Sequence, residues 1–332
     1  MSSDHGPTDV ADAGAQDPKV RVTPRRLVDR RSRKDLDQLA SLMRKHLWSL
    51  PFRDALNEIG LHLVPANFYS AIPSAGEVRS SFEYGADEIP WLDCDFIDQA
   101  TMGSYLQTLL PCTDQFNPPD EGDLHRPAGF FWNNPAFSFT DAMAYYAMVR
   151  HLRPNRIVEV GSGFSTLVAS RAIADNGGGG QITCIDPFPR PFLKKVPHVS
   201  AIIQTNVQQV PVAFFAEQLA DGDILFIDST HTVKTGSDCV YLYLRVLPRL
   251  EQQLMLHAHD IFLPESYPQA WILEKHIYWT EQYLLQALLT QNPNYQVVFG
   301  SNYHRLVNGP LLDRFMHGRA QSGGGSFWFR RL

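Results

Sequence analysis

Residues Arg156 to Thr166, RIVEVGSGFST, constrain this chain more than any other stretch. Three β-branched residues, Ile157, Val158 and Val160, run into Gly161 and Gly163, which reads as a buried parallel strand ending in a tight loop. The run from Phe164 to Ala174 reads helically, so the loop feeds a helix N-terminus. Backbone without Cβ atoms at Gly161 and Gly163 lets a small molecule lie against the main chain. Alone, a Gly-x-Gly also describes an ordinary strand-to-helix turn, so later stretches must decide.

Further apolar runs follow at 181–186 (QITCID), 201–205, 223–228 (DILFID) and 253–260 (QLMLHAHD), with helical stretches at 210–219 and 240–250 between the later ones. A long helix is expected over 269–290, and 296–299 and 326–330 read as closing strands separated by a loop. Strands alternating with helices predict an α/β fold: a Rossmann-like, doubly wound, mainly parallel seven-stranded sheet with an antiparallel C-terminal edge.

The N-terminal part is different. Residues 1–24 are polar and poor in large apolar side chains, which predicts a disordered tail. Arginines crowd 25–34, reading either as a contact for an anion or as a solvated helix start. Leu36, Leu39, Leu42, Met43 and Leu47 recur at helical spacing, giving an amphipathic helix over 35–50 that permits self-association as a homo-oligomer. From 61 to 130 the pattern is irregular and rich in proline and aromatics, apart from a helix-like 102–110, and 139–152 reads as the helix that delivers the chain to Arg156. Residues 25–136 are therefore expected to form a helical and loop-rich lid segment, and 137–332 the cofactor-binding domain. Tyr69, Trp132 and Asn134, with Phe68 and Phe131, would line a substrate there or else anchor the loop to the body.

A formal net charge of −6 argues against general nucleic-acid binding, which draws on a basic surface. No signal peptide and no run long enough to span a membrane is visible, so a cytoplasmic location is expected. The four cysteines lie far apart without a Cys-x-x-Cys pair and read as reduced thiols.

Ligands of open α/β sheets bind off the carboxyl ends of the strands. Four strands here end in an acid there: Glu159, Asp186, Asp228 and Asp260. Asp186 follows Gly163 at the spacing where a second-strand acid reaches the hydroxyls of a ribose. A dinucleotide site wants a third glycine where this chain has Thr166, and Glu159 would repel a pyrophosphate while suiting the ammonium of a methionine moiety. The balance favours S-adenosylmethionine.

The run Glu159-Val160-Gly161-Ser162-Gly163-Phe164-Ser165-Thr166, the strand end Cys184-Ile185-Asp186-Pro187, the stretch from Asp223 to Asp228 with His231, and the pair His259-Asp260 resemble class I S-adenosylmethionine-dependent methyltransferases. They look most like the metal-dependent branch of sugar and macrolide O-methyltransferases and cephalosporin-hydroxylase-type proteins. The resemblance implies that Glu159, Gly161, Ser162, Gly163, Ser165 and Asp186 contact the cofactor, with Thr166 and Pro187 beside them. It implies a divalent cation, magnesium first, at Asp228 and the pair His259-Asp260, with His231 as general base toward a hydroxyl of a small molecule or glycoside. Independently, two carboxylates on neighbouring strands are costly unless a cation or proton lies between them. His259 stands where the relatives have glutamate, and His257 and His259 share a strand face, so each reads equally as a core histidine. Glu265 and Tyr267 overhang this rim and either touch substrate or pack the loop. A nicotinamide-dependent oxidoreductase and a cofactor-binding scaffold without chemistry are the rival readings. Thr166 and Glu159 disfavour the first, and the set Asp228, His231 and Asp260 disfavours the second.

Overall fold

The computed structural model describes residues 30–84, 89–137, 139–319 and 324–332; the expectation for 1–24 and the first half of the arginine-rich segment, 25–29, lie outside them. Seven strands form one sheet: β1 Arg156–Val160, β2 Gln181–Ile185, β3 Val199–Ile203, β4 Ile224–Ile227, β5 Met255–Ala258, β6 Tyr295–Gly300 and β7 Phe327–Arg331. Their order is β3-β2-β1-β4-β5-β7-β6. The first five are parallel, and β7 runs antiparallel to both β5 and β6. The strand order reverses between β1 and β4, where such sheets bind ligands. The expected Rossmann-like sheet is thus the one observed.

Alternation along the strands sorts side chains into two apolar layers. Ile224 and Phe226 of β4 face one layer, with the helices Phe139–Leu152 and Phe164–Asp175. Leu225 and Ile227 face the other, which Leu242, Val246 and Leu285 help to fill. A cross-strand row, Glu159, Phe226, His257 and Trp328, runs beneath Tyr145 in the first layer. His257 is therefore a core residue, fully buried, stacked on Phe226 at 4.1 Å and hydrogen-bonded through Nε2 to Ser326 Oγ. Burial pushes it well below the usual imidazole range.

Four expectations need correction. The helix over 269–290 is two helices, Gln269–Leu273 and Glu281–Leu289. The interval between them carries Ile277, Tyr278 and Trp279, poor helix formers, and is held instead by the main chain of His231, whose carbonyl accepts from Thr280 N and Glu281 N. The β6-to-β7 connection is not a plain loop but contains the helices Ser301–Val307 and Gly309–Phe315. The amphipathic helix is Arg30–His46, and Pro51 opens a new one, Leu50–Glu58, because its ring fixes a helical φ at a position where no N–H partner is lost. Finally, the unit boundary set by contacts falls at Ser81 and not at 136, so 82–136 group with the sheet. The described residues before that point, 30–81, form a unit of their own, in which Leu36, Leu39 and Leu42 are exposed.

Candidate active site

At the β1 end, the loop is braced from below. Gly161 has φ +83°, and a Cβ there would sit 2.3 Å from the Asp228 carbonyl oxygen, so the close approach of the two strand ends requires glycine. Ser162 donates to Asp186 Oδ2 through both its N–H (3.1 Å) and its hydroxyl (2.8 Å). Phe188 N donates to Asp186 Oδ1 at 2.8 Å. The acid that the sequence assigns to a ribose is thereby aimed across the loop, with lone pairs left over. Glu159 lies underneath. Its carboxyl is fully buried and accepts from Tyr145 Oη (2.9 Å) and from Thr166 Oγ1 (2.6 Å), while Thr166 Oγ1 accepts from Gly163 N (3.0 Å). Burial pushes Glu159 up to about 7 against those hydrogen bonds. Ser165 is buried in the first helical turn, and Pro187 is half-buried beside Asp186. The Gly161 to Thr166 loop and Asp186 thus converge as expected, whereas Glu159 acts through Thr166 from within the core.

Off β4 and β5 the structure gathers Asp228, His231, His259 and Asp260. Asp228 N donates to Val160 O and His259 N to Ile227 O, so the ladder carries both strand ends one residue further, side by side. His231 Nε2 lies 3.4 Å from Asp228 Oδ1 and 3.3 Å from Asp260 Oδ2. His259 Nδ1 lies 3.7 Å and 3.5 Å from the same two oxygens. His231 and Asp260 hold left-handed backbone, φ +58° and +55°, a strained conformation for residues with side chains that the surrounding contacts must enforce.

Each imidazole is fixed from behind by a buried carboxylate. Glu281 is fully buried; its Oε2 takes His231 Nδ1 (2.7 Å) and the Ser229 hydroxyl (2.8 Å), and its Oε1 takes the Tyr243 hydroxyl (2.8 Å) from the π-helical turn Leu242–Val246. Asp141 Oδ2 takes His259 Nε2 (3.2 Å) and Gly325 N (3.0 Å), and its Oδ1 takes the Ser301 hydroxyl (2.7 Å) and Ser326 N (2.9 Å). Burial alone would lower His231, but its hydrogen bonds to Asp228 and Glu281 and the charges of Asp260 and Glu281 push it up to about 10. His259 is likewise raised well above the imidazole range, against its burial, by the charges of Asp260 and Asp228. Burial would raise Asp228, yet the two imidazoles hold it far below the carboxylate range. Each carboxylate of the acid pair thus has both imidazoles within 4 Å, an arrangement that favours the charged form of each partner.

The same donors suit a cation. One atom each from Asp228, His259 and Asp260 lie within 4.8 Å of one another, and carboxylate oxygens with one imidazole nitrogen are an ordinary donor set for a divalent metal. The residues present fit the group that the resemblance implies.

Other substrate candidates land elsewhere. Trp132 is fully buried among Phe116, Phe130 and Phe139, with the Arg319 guanidinium 4.9 Å from its ring centre. Asn134 spends its amide on Phe131 O and Phe137 O and accepts from Ala136 N and Phe137 N. Tyr267 is 2% exposed, its hydroxyl accepting from Gln282 N. In the structure these three pack chain to core, the second of the two readings that the sequence allows them. Glu265 pairs with Arg305 at 2.6 Å. Tyr69 belongs to the 30–81 unit, where it is exposed and lies on Phe68 at 4.1 Å. Sequence reasoning missed Glu281 and gave Asp141 no role, although Asp141 is a lone acid in the otherwise uncharged run of FTDAMAYYAMV. It also missed Trp279, half-buried with its ring 4.3 Å from His231.

Comparison with known proteins agrees with this arrangement. Residues 158–261, which span β1 to the β5 end, match the family model Methyltransf_24, a methyltransferase domain. An uncharacterized protein of Archaeoglobus fulgidus is 32% identical over 170 residues, 48% of this chain and 74% of its own length. Among solved structures, cofactor-bound Rv0187 from MTB is 13% identical with a TM-score of 0.36, covering 71% of this chain and 90% of that one. The plantazolicin methyltransferase BpumL in complex with a pentazolic desmethylPZN analog and SAH is 12% identical with a TM-score of 0.39, covering 70% and 99%. Structural likeness of that size is too slight to assign anything further. With a sheet reversing between β1 and β4, a glycine loop facing Asp186, and a matched domain over that half of the sheet, the chain belongs to the class I S-adenosylmethionine-dependent methyltransferases.

Proposed function

We propose that the enzyme methylates a hydroxyl of a small molecule or glycoside, with Asp228, Asp260 and His259 holding a divalent cation and His231 acting as general base. The observation that carries this reading is the setting of His231. Its Nδ1 is tied to buried Glu281, and its Nε2 faces the Asp228 and Asp260 oxygens where an acceptor would bind. Glu281 accepts from Nδ1 as it does from two hydroxyls, which leaves Nε2 as the nitrogen that would exchange a proton with an acceptor.

The Gly161 to Thr166 loop and Asp186 would hold S-adenosylmethionine, Asp186 accepting from its ribose hydroxyls, and the cofactor would supply the methyl group carried on its sulfonium. A cation at the acid pair supplies positive charge that lowers the pKa of a nearby hydroxyl. With Asp228 and Asp260 engaged by that cation, His231 would keep Glu281 as its carboxylate partner and have Nε2 open toward an acceptor. His231 Nε2 then takes the hydroxyl proton as the oxygen attacks the methyl carbon and the carbon–sulfur bond breaks, releasing S-adenosylhomocysteine. Trp279 offers a flat apolar wall beside His231, which suits a ring-bearing acceptor.

The test is methyl transfer from labelled S-adenosylmethionine to a panel of phenols, pyranosides and linear alcohols, with and without chelator. The reading predicts cation-dependent transfer to ring-bearing hydroxyls. Turnover that survives complete metal removal would overturn the cation's role, and failure to bind S-adenosylhomocysteine would overturn the whole.

A further inference from the structure

We infer that the cation site is a mixed nitrogen and oxygen centre, in which His259 Nδ1 is a ligand oriented by Asp141, and that it takes manganese(II) or a similar first-row transition metal in preference to magnesium. The inference rests on reading the Asp228 and Asp260 pair as a metal site and deepens it. The residue before Asp260 is an imidazole where an acid would complete an all-oxygen set. Of the two histidines on this strand face, His257 is spent in the core on Ser326 and Phe226. Only His259 reaches the rim, with Nδ1 3.7 Å from Asp228 Oδ1 and 3.5 Å from Asp260 Oδ2.

The orientation is built, not incidental. Histidines that ligate metals almost always donate their other N–H to a carboxylate or carbonyl, which fixes tautomer and ring plane. Asp141 does this for His259 Nε2, and is itself held by Ser301, Gly325 N and Ser326 N. The glycine-rich C-terminal stretch thereby gains a role beyond turning the chain. A Cβ on Gly324 would lie 2.3 Å from Asp141 Oδ1, and one on Gly325 would lie 2.6 Å from Asp260 Cα, so both positions must be glycine for the strap to close on the site. Magnesium demands oxygen ligands and sheds water reluctantly, whereas imidazole suits the transition metals.

The test uses the full-length metal-free protein. Manganese(II) and magnesium affinities are measured by calorimetry, and the manganese complex is examined by pulsed electron paramagnetic resonance for coupling to a directly bound nitrogen. Expected are nitrogen coupling in the wild type, its loss with a gain in magnesium affinity in His259→Glu, and about ten- to hundredfold weaker manganese binding in Asp141→Asn with magnesium binding nearly unchanged. Absence of nitrogen coupling in the wild type, or its persistence in His259→Glu, overturns the inference. Should Asp141→Asn fail to fold, the first two measurements still decide. Parallel titration with S-adenosylhomocysteine separates the two claims. Cofactor binding without nitrogen coupling overturns this inference and leaves methyl transfer standing, and coupling without cofactor binding does the reverse.

Discussion

The two halves of the carboxyl rim are made in different ways. The cofactor half is local: β1, the glycine loop, the following helix and the end of β2 lie within Arg156 to Asp186, and the hydrogen bonds from Ser162 to Asp186 and from Thr166 to Glu159 close inside that stretch. The half off β4 and β5 is assembled from afar. Asp141 from a helix before the sheet, Asp228 and His231 after β4, His259 and Asp260 after β5, Glu281 opening a later helix, and Gly325 and Ser326 ahead of β7 all meet there. A loop that makes its own contacts can be read from a short motif. A constellation of five segments needs each one placed by the packing of the others.

Substitutions can break this comparison on either side. The largest effect is expected from His231→Ala, which should lower kcat by about two to four powers of ten while S-adenosylhomocysteine affinity holds. A matching loss of cofactor affinity would show that the halves are not separate. Next comes Glu159→Gln, on the cofactor side. The folded state raises this carboxyl from 4.5 to about 7, so it holds a proton that the unfolded chain releases. Its contribution is fully present below pH 4.5 and falls away as pH rises toward 7, by roughly 3 kcal/mol at most. Denaturant titrations across that window should show a flatter fall in the glutamine variant, and identical slopes would refute the assignment.

Glu281→Gln probes whether the distant support matters as much as the reacting group. With the charge lost behind His231, kcat should fall about ten- to hundredfold with KM little changed, and Glu281→Asp should recover part of it. An unaltered kcat would reduce Glu281 to a packing residue. The smallest change is expected from Asp186→Asn, which keeps the shape but weakens two ribose hydrogen bonds and should raise the S-adenosylhomocysteine dissociation constant about tenfold. Calorimetry measures it directly, and an effect on kcat at saturating cofactor would place Asp186 in the chemistry instead.

The predictions also mark where the sequence could be read. Apolar runs in the strands and the acids Glu159, Asp186, Asp228 and Asp260 at their ends made the sheet and its rim legible, because each signal is carried by neighbouring residues. The sequence left two readings open at Trp132, Asn134 and Tyr267 for one cause: aromatic and amide side chains look alike in a loop and in a core, and only burial separates them.

By itself, the sequence determined the parallel sheet, its antiparallel edge, the glycine loop and the acid Asp186 that faces it, since strand pattern and turn chemistry act over a few residues. Only the tertiary structure decided which histidine is core and which faces the acids. His257 and His259 carry the same local pattern, and what parts them is that Ser326 meets the first and Asp141 the second. The same holds for Glu281, whose place behind His231 depends on a helix breaking at 274–280 because the His231 carbonyl captures its main chain. A buried charge is tolerated only where its partners converge, and that convergence exists only once the chain has folded.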